Sequence, residues 1–395
     1  MVLGVCNYKM VDNNKMYFTE EHILLRKMVR DFSEKELKPI AQEIDKNSKF
    51  PHDSIKKISD LGLMGIPWDE KYNGSGMDYL SLVIAIEEMG KVCVSTAVTV
   101  MAHTSLGSSP FAYFGTNEQK QKYLTNLSSG QMIGAFGLTE PNAGSDAGST
   151  QTTAILKDGK YIVNGQKAFC TNAGVAGVII FTSKIIHDDN EIGIGALFVD
   201  AGTKGLKIGE PENKMGWKGS DTRSVYFDNM EIPESNILGS PDKGFKHFLQ
   251  TLTGGRITIS ALALGICQAA YNIALKYSHE REAFGKKINK FQSVSFKLAD
   301  MATQIEAAKH LVYYAAWRKD INKNFIKEAA MAKLFSSELA MKITTDAIQL
   351  LGGYGYIREY DVERFFRDAK ILEIGEGTSE VQRIIIAREI LKNLN

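Results

Sequence analysis

A carboxylate between two glycines stands near the end of the chain, in the segment ILEIGEGTSEVQRIIIARE. Thr378 and Glu380 have a structural explanation, because a threonine before a helix caps its N-terminus and a carboxylate in the first turn faces the positive end of the helix dipole. Glu376 has no such role. Its glycine neighbours let the backbone come close to a ligand and leave the side chain little cover. The segment predicts either a simple helix-start turn or an acid–base residue held against a ligand.

Histidines, cysteines and serines give no competing pattern for proton transfer or metal binding. The 7 histidines have no partner at metal-ligand spacing, so no metal site and no histidine-based triad is predicted. Ser145 lacks the Gly-x-Ser-x-Gly context of a hydrolase nucleophile. The 4 cysteines are far apart and form no Cys-x-x-Cys pair, which favours a reducing compartment. Acid–base chemistry is therefore left to carboxylates, and Glu376 is the unexplained one.

Two segments in the middle of the chain carry groups that suit a flat heteroaromatic ligand. In FGLTEPNAGSD, Thr139 and Ser145 lie among backbone N–H groups that can hold a ring edge or an anion, although a solvated turn explains them equally well. In NGQKAFCTNAG, Phe169 and Thr171 are two residues apart, so on a regular strand both point to one face. That pairing suits one side of a flat cofactor, and an ordinary core phenylalanine is the alternative.

Two later segments also carry features of a ligand site, and the first of them suits a phosphate. In HEREAFGKKINKFQS, the guanidinium of Arg281 suits a pyrophosphate and Phe284 suits a ring, whereas a solvated helix end explains only the lysines. In QLLGGYGYIREYD, Gln349 precedes Gly352 and Gly353. This spacing lacks the Lys-Ser/Thr of a P-loop and the preceding strand of a Rossmann turn, so it indicates only a close backbone approach to a ligand.

Three regions of different secondary structure position these segments. Helical spacing of apolar residues predicts an all-helical domain over residues 1–133, with residues 1–15 as a loose extension. Short β-branched and aromatic runs between turn residues predict a small barrel-like or sandwich-like β domain over 134–243. Long apolar helices with buried positions at alternating steps of three and four predict a four-helix bundle over 244–395. The fold class is mainly α with a central β domain.

Composition limits the partners. A chain of 395 residues with 44% hydrophobic residues and a net charge of +1 is typical of a globular protein of two to three domains, and it gives no support for nucleic-acid binding. No run reaches the ~18 uninterrupted apolar residues of a membrane span. The first residues resemble neither a secretory signal nor an Arg-rich transit peptide. We expect the cytoplasm for a bacterial source and the mitochondrial matrix for a eukaryotic one.

With these segments in view, the chain resembles the acyl-CoA dehydrogenase family over residues 16–392, with every block in order. TEPNAGSD resembles the first signature of the family, QLLGGYGYIREYDVERFFRDAKI the second, and EGTSEVQR the segment that carries the catalytic base. The short-chain (butyryl-CoA) branch is the most similar, partly because Phe169 in KAFCTN replaces the tryptophan common in medium-chain members.

The resemblance implies FAD as the cofactor. Contacts from one subunit are implied at Phe136, Leu138, Thr139, Ser145, Phe169 and Thr171. Contacts to the FAD of a neighbouring subunit are implied at Arg281, Phe284, Gln292, Gln349, Gly352 and Gly353. Near the subunit's own flavin the matching residues are Thr378 and Glu380. This sharing implies an obligate oligomer, and the family is usually a homotetramer built as a dimer of dimers.

The resemblance also gives Glu376 a role. It implies that this carboxylate removes the α-proton of an acyl-CoA thioester, while its backbone N–H and a ribityl hydroxyl of FAD hold the thioester oxygen and flavin N5 takes the β-hydride. We expect burial to raise its pKa above the usual value of about 4.3. Arg256 and Ser145 match contacts to CoA, and Gly375 and Gly377 flank the thioester. Gly375 replaces a tyrosine of many relatives, which leaves room for a bulkier or branched acyl group.

Several functions remain open after this comparison of residues. The favoured one is dehydrogenation of a short acyl-CoA with electrons passed to an electron-transferring flavoprotein. The alternatives are a dehydrogenase for a branched or longer acyl-CoA, a flavin oxidase of the same fold, and a non-catalytic flavoprotein scaffold. Gly255 stands where the isovaleryl-type branch carries its base, so no carboxylate there competes with Glu376.

Overall fold

The computed structural model describes residues 17–392, and the extension predicted for residues 1–15 lies outside this range. Helices come first, and two of them begin at the predicted caps, because the Thr19 and Thr116 side chains each accept a hydrogen bond from the backbone three residues later. The bounds are α1 (Glu20–Phe32), α2 (Ala41–Asn47), α3 (His52–Asp60), α4 (Tyr79–Gly90), α5 (Val94–Ala102), α6 (Ser109–Phe114), α7 (Asn117–Gln119) and α8 (Thr125–Ser128). A π-helical turn over 103–108 continues α5 into α6.

One mixed sheet follows the first helices. Its strands are β1 (Gly134–Gly137), β2 (Thr153–Lys157), β3 (Lys160–Thr171), β4 (Val178–His187), β5 (Asn190–Asp200), β6 (Leu206–Pro211) and β7 (Thr222–Pro233). β4 pairs in parallel with β1 and β2 and antiparallel with β5, and the sheet continues through β3 and β7 to β6. Phe181 and Phe227 stack inside it with ring centroids 4.3 Å apart.

The regular alternation predicted for Phe169 and Thr171 is interrupted. The register of β3 against β7 shifts between Lys167 and Cys170, and Phe169 has a left-handed backbone with φ +54°. A bulge of this kind inserts an unpaired residue and bends the strand locally. The Phe169 side chain is 66% exposed while Cys170 is buried. The bulge therefore presents an aromatic ring at the surface of the β region.

Long helices form the rest of the chain and confirm the mainly α fold class with a central β region. Their bounds, with those of a small hairpin, are α9 (Gly244–Glu280), β8 (Glu282–Ala283), β9 (Lys286–Lys287), α10 (Gln292–Asp320), α11 (Ile326–Leu351), α12 (Val362–Lys370) and α13 (Ser379–Leu391). α11 packs against α9, α10 and α13, and α9 also contacts α4 and α5 of the first region. The domain boundaries placed after residues 133 and 243 stay a prediction.

Helix α9 is the most apolar long helix of the bundle. By length and composition alone it could cross a membrane, but 78% of its most apolar window is buried inside the protein. A core helix surrounded by other helices is apolar on nearly every face for the same reason. In α10 the predicted stripe is buried, as at Leu298, Met301 and Ile305.

Candidate active site

Glu376 lies in the turn that leads into α13. Its backbone φ is +55° and that of Gly377 is +91°. A residue other than glycine held in this left-handed region costs about 1–3 kcal/mol, and such residues concentrate at functional sites. Thr378 caps α13 as predicted, since its side chain accepts a hydrogen bond from Val381 N at 3.3 Å. The helix-start turn is therefore real, and the strained residue in it is the carboxylate.

Two buried side chains hold this turn in place through hydrogen bonds to its backbone. The carbonyl oxygen of Gly377 accepts hydrogen bonds from Lys333 Nζ and from Gln382 Nε2, each at 2.8 Å. Gln382 also donates to the carbonyl oxygen of Glu376 at 3.2 Å. Lys333 on α11 and Gln382 on α13 are both fully buried. The backbone on either side of the carboxylate is thus fixed to two helices of the bundle.

The Glu376 carboxylate is directed at α9. A Cβ atom at Gly255 would stand 2.3 Å from Glu376 Oε2 and 3.1 Å from Leu106 Cδ2, so a side chain at position 255 would occupy the volume of the carboxylate. The hydroxyl of buried Tyr79 on α4 lies 3.0 Å from the place where a Cβ at Gly254 would stand. The carboxylate therefore lies beside α9 and the turn over 103–108, and Gly255 makes room for it, with Tyr79 against the neighbouring Gly254.

The charge state of this carboxylate is finely set. Burial raises the pKa of Glu376 to about 7, while the positive charges of Lys333 and Arg256 act in the opposite direction. Glu376 Oε2 is buried and has no hydrogen-bond partner within residues 17–392. A carboxylate with a pKa near the working pH and an unsatisfied oxygen is the arrangement that general-base catalysis needs.

The two neighbouring cations are themselves enclosed. Arg256 is buried, and burial lowers its pKa to about 10. Its Nε has no partner in the described part of the chain, and Nη1 donates only a long hydrogen bond of 3.4 Å to Thr253 Oγ1. Burial lowers the pKa of Lys333 to about 8. An arginine with unused donors at this place suits an anionic or carbonyl group of a ligand.

The segment that contains Thr139 is held by a second buried carboxylate, Glu140. Its oxygens accept hydrogen bonds from Lys167 Nζ at 2.6 Å, from Gln151 N at 2.6 Å and from the Thr152 hydroxyl at 2.7 Å. Burial alone would raise the pKa of Glu140, but the hydrogen bond and charge of Lys167 and the threonine hydroxyls lower it to about 2. Glu140 is thus fully used in holding the loop that follows β1.

This loop and the bulge of β3 lie side by side. Ala168 N donates to the carbonyl oxygen of Thr139 at 2.7 Å, which brings Thr139 next to Phe169. At the start of the loop, the Phe136 ring stacks on Phe248 of α9 with centroids 4.1 Å apart. The structure thus brings Thr139 and Phe169 together, with Phe136 at the start of the same loop; Ser145 also lies on this loop and is exposed.

A single helical segment connects this group with the carboxylate. Asn172 Nδ2, directly after β3, donates to the carbonyl oxygen of Thr99 at 3.1 Å. Leu106, on the same segment, lies against Gly255 and so beside Glu376. Seven residues of helix span about 10 Å. The end of the bulged strand and the carboxylate therefore lie beside the same helical segment, about that far apart along it.

The remaining predicted residues form a separate, exposed group at one end of the bundle. Tyr277 near the end of α9 and Tyr354 after α11 have ring centroids 6.2 Å apart, so the two helix ends are neighbours. Phe284 is 95% exposed, and the exposed Arg281 forms no ion pair with any residue in 17–392. The group consists of Arg281, Phe284, Gln292, Gln349, Gly352 and Gly353. Among the described residues, no hydrogen bond or ion pair joins it to the Glu376 turn.

Several residues near the site were not predicted from the sequence, above all Lys333, Lys167, Tyr79 and Gln382. Lys333 gave a readable signal, because it falls at helical spacing on the buried face of α11 that also carries Ala329, Ser337 and Ala340. A lysine on an apolar stripe is rare unless it has a partner. Which partner it has depends on a residue 44 positions away and was not readable locally.

Comparison with known proteins identifies the family of this chain. The N-terminal, middle and C-terminal domain models of the acyl-CoA dehydrogenase family match residues 19–131, 135–230 and 242–391. A Clostridium acetobutylicum protein described as "Acyl-CoA dehydrogenase, short-chain specific" is 48% identical to this chain, covering 95% of it and 99% of that protein.

Two solved structures are similar over nearly the whole chain. Butyryl-CoA dehydrogenase from Megasphaera elsdenii has a TM-score of 0.92 at 44% identity, covering 95% of this chain and 99% of its own. A chain of the structure described as electron transferring flavoprotein of Acidaminococcus fermentans has a TM-score of 0.93 at 45% identity, with the same coverage. The chain with its strained, buried Glu376 carboxylate therefore belongs to the acyl-CoA dehydrogenase family of enzymes.

Proposed function

We propose that this enzyme dehydrogenates a short, straight acyl-CoA of about four carbons to the trans-2-enoyl-CoA, with Glu376 as the base. The observation that carries the proposal is the Glu376 carboxyl directed at Gly255 of α9: its buried Oε2 has no hydrogen-bond partner in residues 17–392, and burial raises its pKa to about 7. The relatives described as short-chain specific and as butyryl-CoA dehydrogenase support the substrate class. Gly375 supports the alternative of a bulkier acyl group, since a Cβ there would meet only Ile371 O at 3.5 Å.

The residues of this chain fit FAD. The exposed rings of Phe169 and Phe284 offer flat surfaces, and a Cβ at Gly352 or Gly353 would meet nothing within 4 Å, so a ligand can approach that backbone. We assign one side of the flavin to Phe136, Leu138, Thr139, Ser145, Phe169 and Thr171. We assign the contacts from a neighbouring subunit to Arg281, Phe284, Gln292, Gln349, Gly352 and Gly353, with Thr378 and Glu380 close to the subunit's own flavin. When bound, FAD supplies the acceptor for the β-hydride.

The protein's own part is proton transfer and charge stabilisation. Because burial raises the pKa of Glu376 to about 7, close to neutral pH, the same group can accept the α-proton and later release it. No residue in 17–392 accepts a hydrogen bond from the Glu376 backbone N–H, which leaves this donor free for the thioester oxygen as negative charge develops on it. Arg256, with Ser145, would hold the CoA part, and Gly375 and Gly377 let the thioester lie against the backbone.

The assembly follows from the shared flavin contacts. We propose a homotetramer arranged as a dimer of dimers, because the residues assigned to the flavin of a neighbouring subunit, Arg281 and Phe284 among them, are exposed in the single chain. The likeness to a chain of the Acidaminococcus fermentans electron transferring flavoprotein structure supports such a flavoprotein as the electron acceptor. A reducing compartment, the bacterial cytoplasm or the mitochondrial matrix, is part of the same proposal.

Arg281→Ala tests the shared cofactor site. Removing the guanidinium from the FAD pyrophosphate should release flavin and loosen the tetramer together. Flavin absorbance per chain and sedimentation velocity measure the two effects. Full flavin occupancy in an intact tetramer would remove the assignment of Arg281.

The activity itself is tested by rapid mixing of the purified enzyme with butyryl-CoA. Bleaching of the flavin, followed by reoxidation with an acceptor flavoprotein but not with air, is the expected result. Fast reoxidation by air would indicate an oxidase, and no bleaching with any thioester would indicate a scaffold. A steady-state series of straight and branched thioesters should give its highest kcat/KM near four carbons, and a maximum at eight carbons or on a branched group would replace butyryl-CoA as the substrate.

A further inference from the structure

Lys333 is a buried cation that the proposed chemistry does not use directly. It lies in α11 with no exposed surface, and its one hydrogen bond goes from Nζ to the carbonyl oxygen of Gly377 at 2.8 Å. No carboxylate of residues 17–392 lies within ion-pair distance of it. An ammonium group placed in the interior without a paired anion is strongly unfavourable, so such a lysine is rare without a role.

The charged groups around the turn point to that role. Glu376 is the negative charge that acts most strongly on Lys333, ahead of Glu373 and Glu338. In return, Lys333 opposes the effect of burial on the Glu376 carboxyl more strongly than Arg256 does. From the other packed elements, the Tyr79 phenol on α4 faces Glu376, and Arg388 of α13 acts on Arg256. Lys333 is thus the positive charge with the largest effect on the pKa of the Glu376 carboxylate.

We propose that Lys333 is a positioning residue for the base: its hydrogen bond to the Gly377 carbonyl fixes the strained turn, and its positive charge favours the ionised form of the Glu376 carboxylate, which accepts the proton. This inference rests on the proposed function of Glu376. Lys333 takes no proton from the substrate. Its effect passes through the backbone of the turn and through the electric field at the carboxylate.

Gln382 provides a matched control on the same turn. It is also fully buried, and its Nε2 also donates to the Gly377 carbonyl oxygen at 2.8 Å and to that of Glu376 at 3.2 Å, but it carries no charge. Gln382→Met removes hydrogen bonds alone. Lys333→Met removes a hydrogen bond and a charge, whereas Lys333→Gln removes the charge and keeps a donor. The three variants therefore separate the effect of the hydrogen bond to the turn from the effect of the positive charge on Glu376.

The expected shift has a definite sign. Loss of a nearby positive charge destabilises the ionised carboxylate, so the pKa of Glu376 rises, typically by about one unit or more. The acidic limb of kcat/KM against pH should therefore move to higher pH by about one unit in both Lys333 variants. In Gln382→Met the limb should stay in place while the rate falls across the whole pH range.

The decisive experiment measures the protonation of the Glu376 carboxyl directly, in the absence of substrate. The infrared band of the protonated Glu376 carboxyl is measured against pH in the FAD-loaded tetramer. The spectrum of Glu376→Gln is subtracted to isolate this band. The proteins compared are wild type, Lys333→Gln, Lys333→Met and Gln382→Met. A midpoint shifted upward by about one pH unit in either folded Lys333 variant, and unshifted in Gln382→Met, is expected. Lys333 variants that titrate like wild type would overturn the inference.

Flavin bleaching by butyryl-CoA, measured on the same preparations, distinguishes a failure of this inference from a failure of the proposed function. Wild type must bleach with butyryl-CoA, and Glu376→Gln must not. If both bleach, the assignment of the base is wrong. If only wild type bleaches and the Lys333 variants titrate normally, the base stands and the role of Lys333 is wrong.

Discussion

Glu140 and Glu376 both hold buried carboxyl oxygens near a buried lysine, yet they behave in opposite ways. Glu140 lies 2.6 Å from Lys167 Nζ and accepts further hydrogen bonds from the backbone and from threonine hydroxyls, so its pKa falls to about 2. Among residues 17–392, Glu376 Oε2 has no hydrogen-bond partner and the carboxylate forms no ion pair, and burial raises its pKa to about 7. The same side chain is thus a fixed structural anion in one region and, in the function we propose, a proton acceptor in the other.

The two carboxylates differ in pKa because the neighbouring lysines donate their hydrogen bonds to different groups. Lys167 binds the carboxylate directly, which satisfies both charges and fixes the loop after β1 against the β3 bulge. Lys333 instead binds a backbone carbonyl next to Glu376 and leaves the carboxylate oxygens free. Separating a base from its counter-charge keeps it reactive, whereas pairing the two would lower its pKa too far for proton abstraction.

Breaking the paired region should have the largest effect on stability. Lys167→Met leaves the Glu140 carboxylate buried without its partner, and loss of one member of a buried pair typically costs about 3–5 kcal/mol. Urea unfolding of the holoenzyme at fixed protein concentration measures it. Lys160→Met on the same strand is the control, because its pair with Glu231 at 3.0 Å is exposed and should be worth about 1 kcal/mol or less. Equal losses in the two variants would show that Lys167 is not a structural anchor.

Replacing each glutamate by glutamine should change stability in opposite directions at pH 8. The folded-state pKa of Glu376 lies above its ordinary value of 4.5, so the folded protein loses stability as pH rises from about 4.5 to about 7. Glutamine avoids that loss, and Glu376→Gln should gain up to about 3 kcal/mol at pH 8 and nothing at pH 4.5.

The pKa of Glu140 is lowered, so its contribution is present above about 4.5 and is lost as pH falls towards about 2. Glu140→Gln should therefore be less stable than wild type at pH 8 by about 3 kcal/mol, with Glu231→Gln as the exposed control. Unfolding at both pH values measures the pair. If Glu376→Gln were destabilised at pH 8 as strongly as Glu140→Gln, the contrast between the two carboxylates would be lost.

Two glycines beside the base should respond in different ways. Gly255→Ala places a Cβ 2.3 Å from Glu376 Oε2 and must displace the carboxylate, so we expect overpacking of about 1–3 kcal/mol and a loss of about 10²-fold in the rate of flavin reduction. Gly375→Ala meets only Ile371 O at 3.5 Å, and stability should stay within about 0.5 kcal/mol. Unaltered flavin reduction in Gly255→Ala would mean that the carboxylate is not directed at α9 during the reaction.

Local patterns were enough for the fold class and for singling out Glu376. The threonine caps, the apolar stripe of α10 and the odd position of Glu376 were all readable within short windows of sequence. The partners of the two lysines were not, because Lys167 meets Glu140 across 27 residues and Lys333 meets Gly377 across 44. The bulge at Phe169 was missed for a similar reason, since the register of β3 is set by β7 rather than by its own sequence.

The central claim is that Glu376 removes a proton, and Glu376→Gln tests it most directly. Glutamine keeps the size of the side chain and the backbone N–H, so butyryl-CoA should still bind and perturb the flavin absorption band. Rapid mixing should show no bleaching, with the rate of flavin reduction lowered by at least about 10⁴-fold, the upper range of general-base catalysis. Bleaching within tenfold of the wild-type rate would contradict the account and leave Glu376 as part of a helix-start turn.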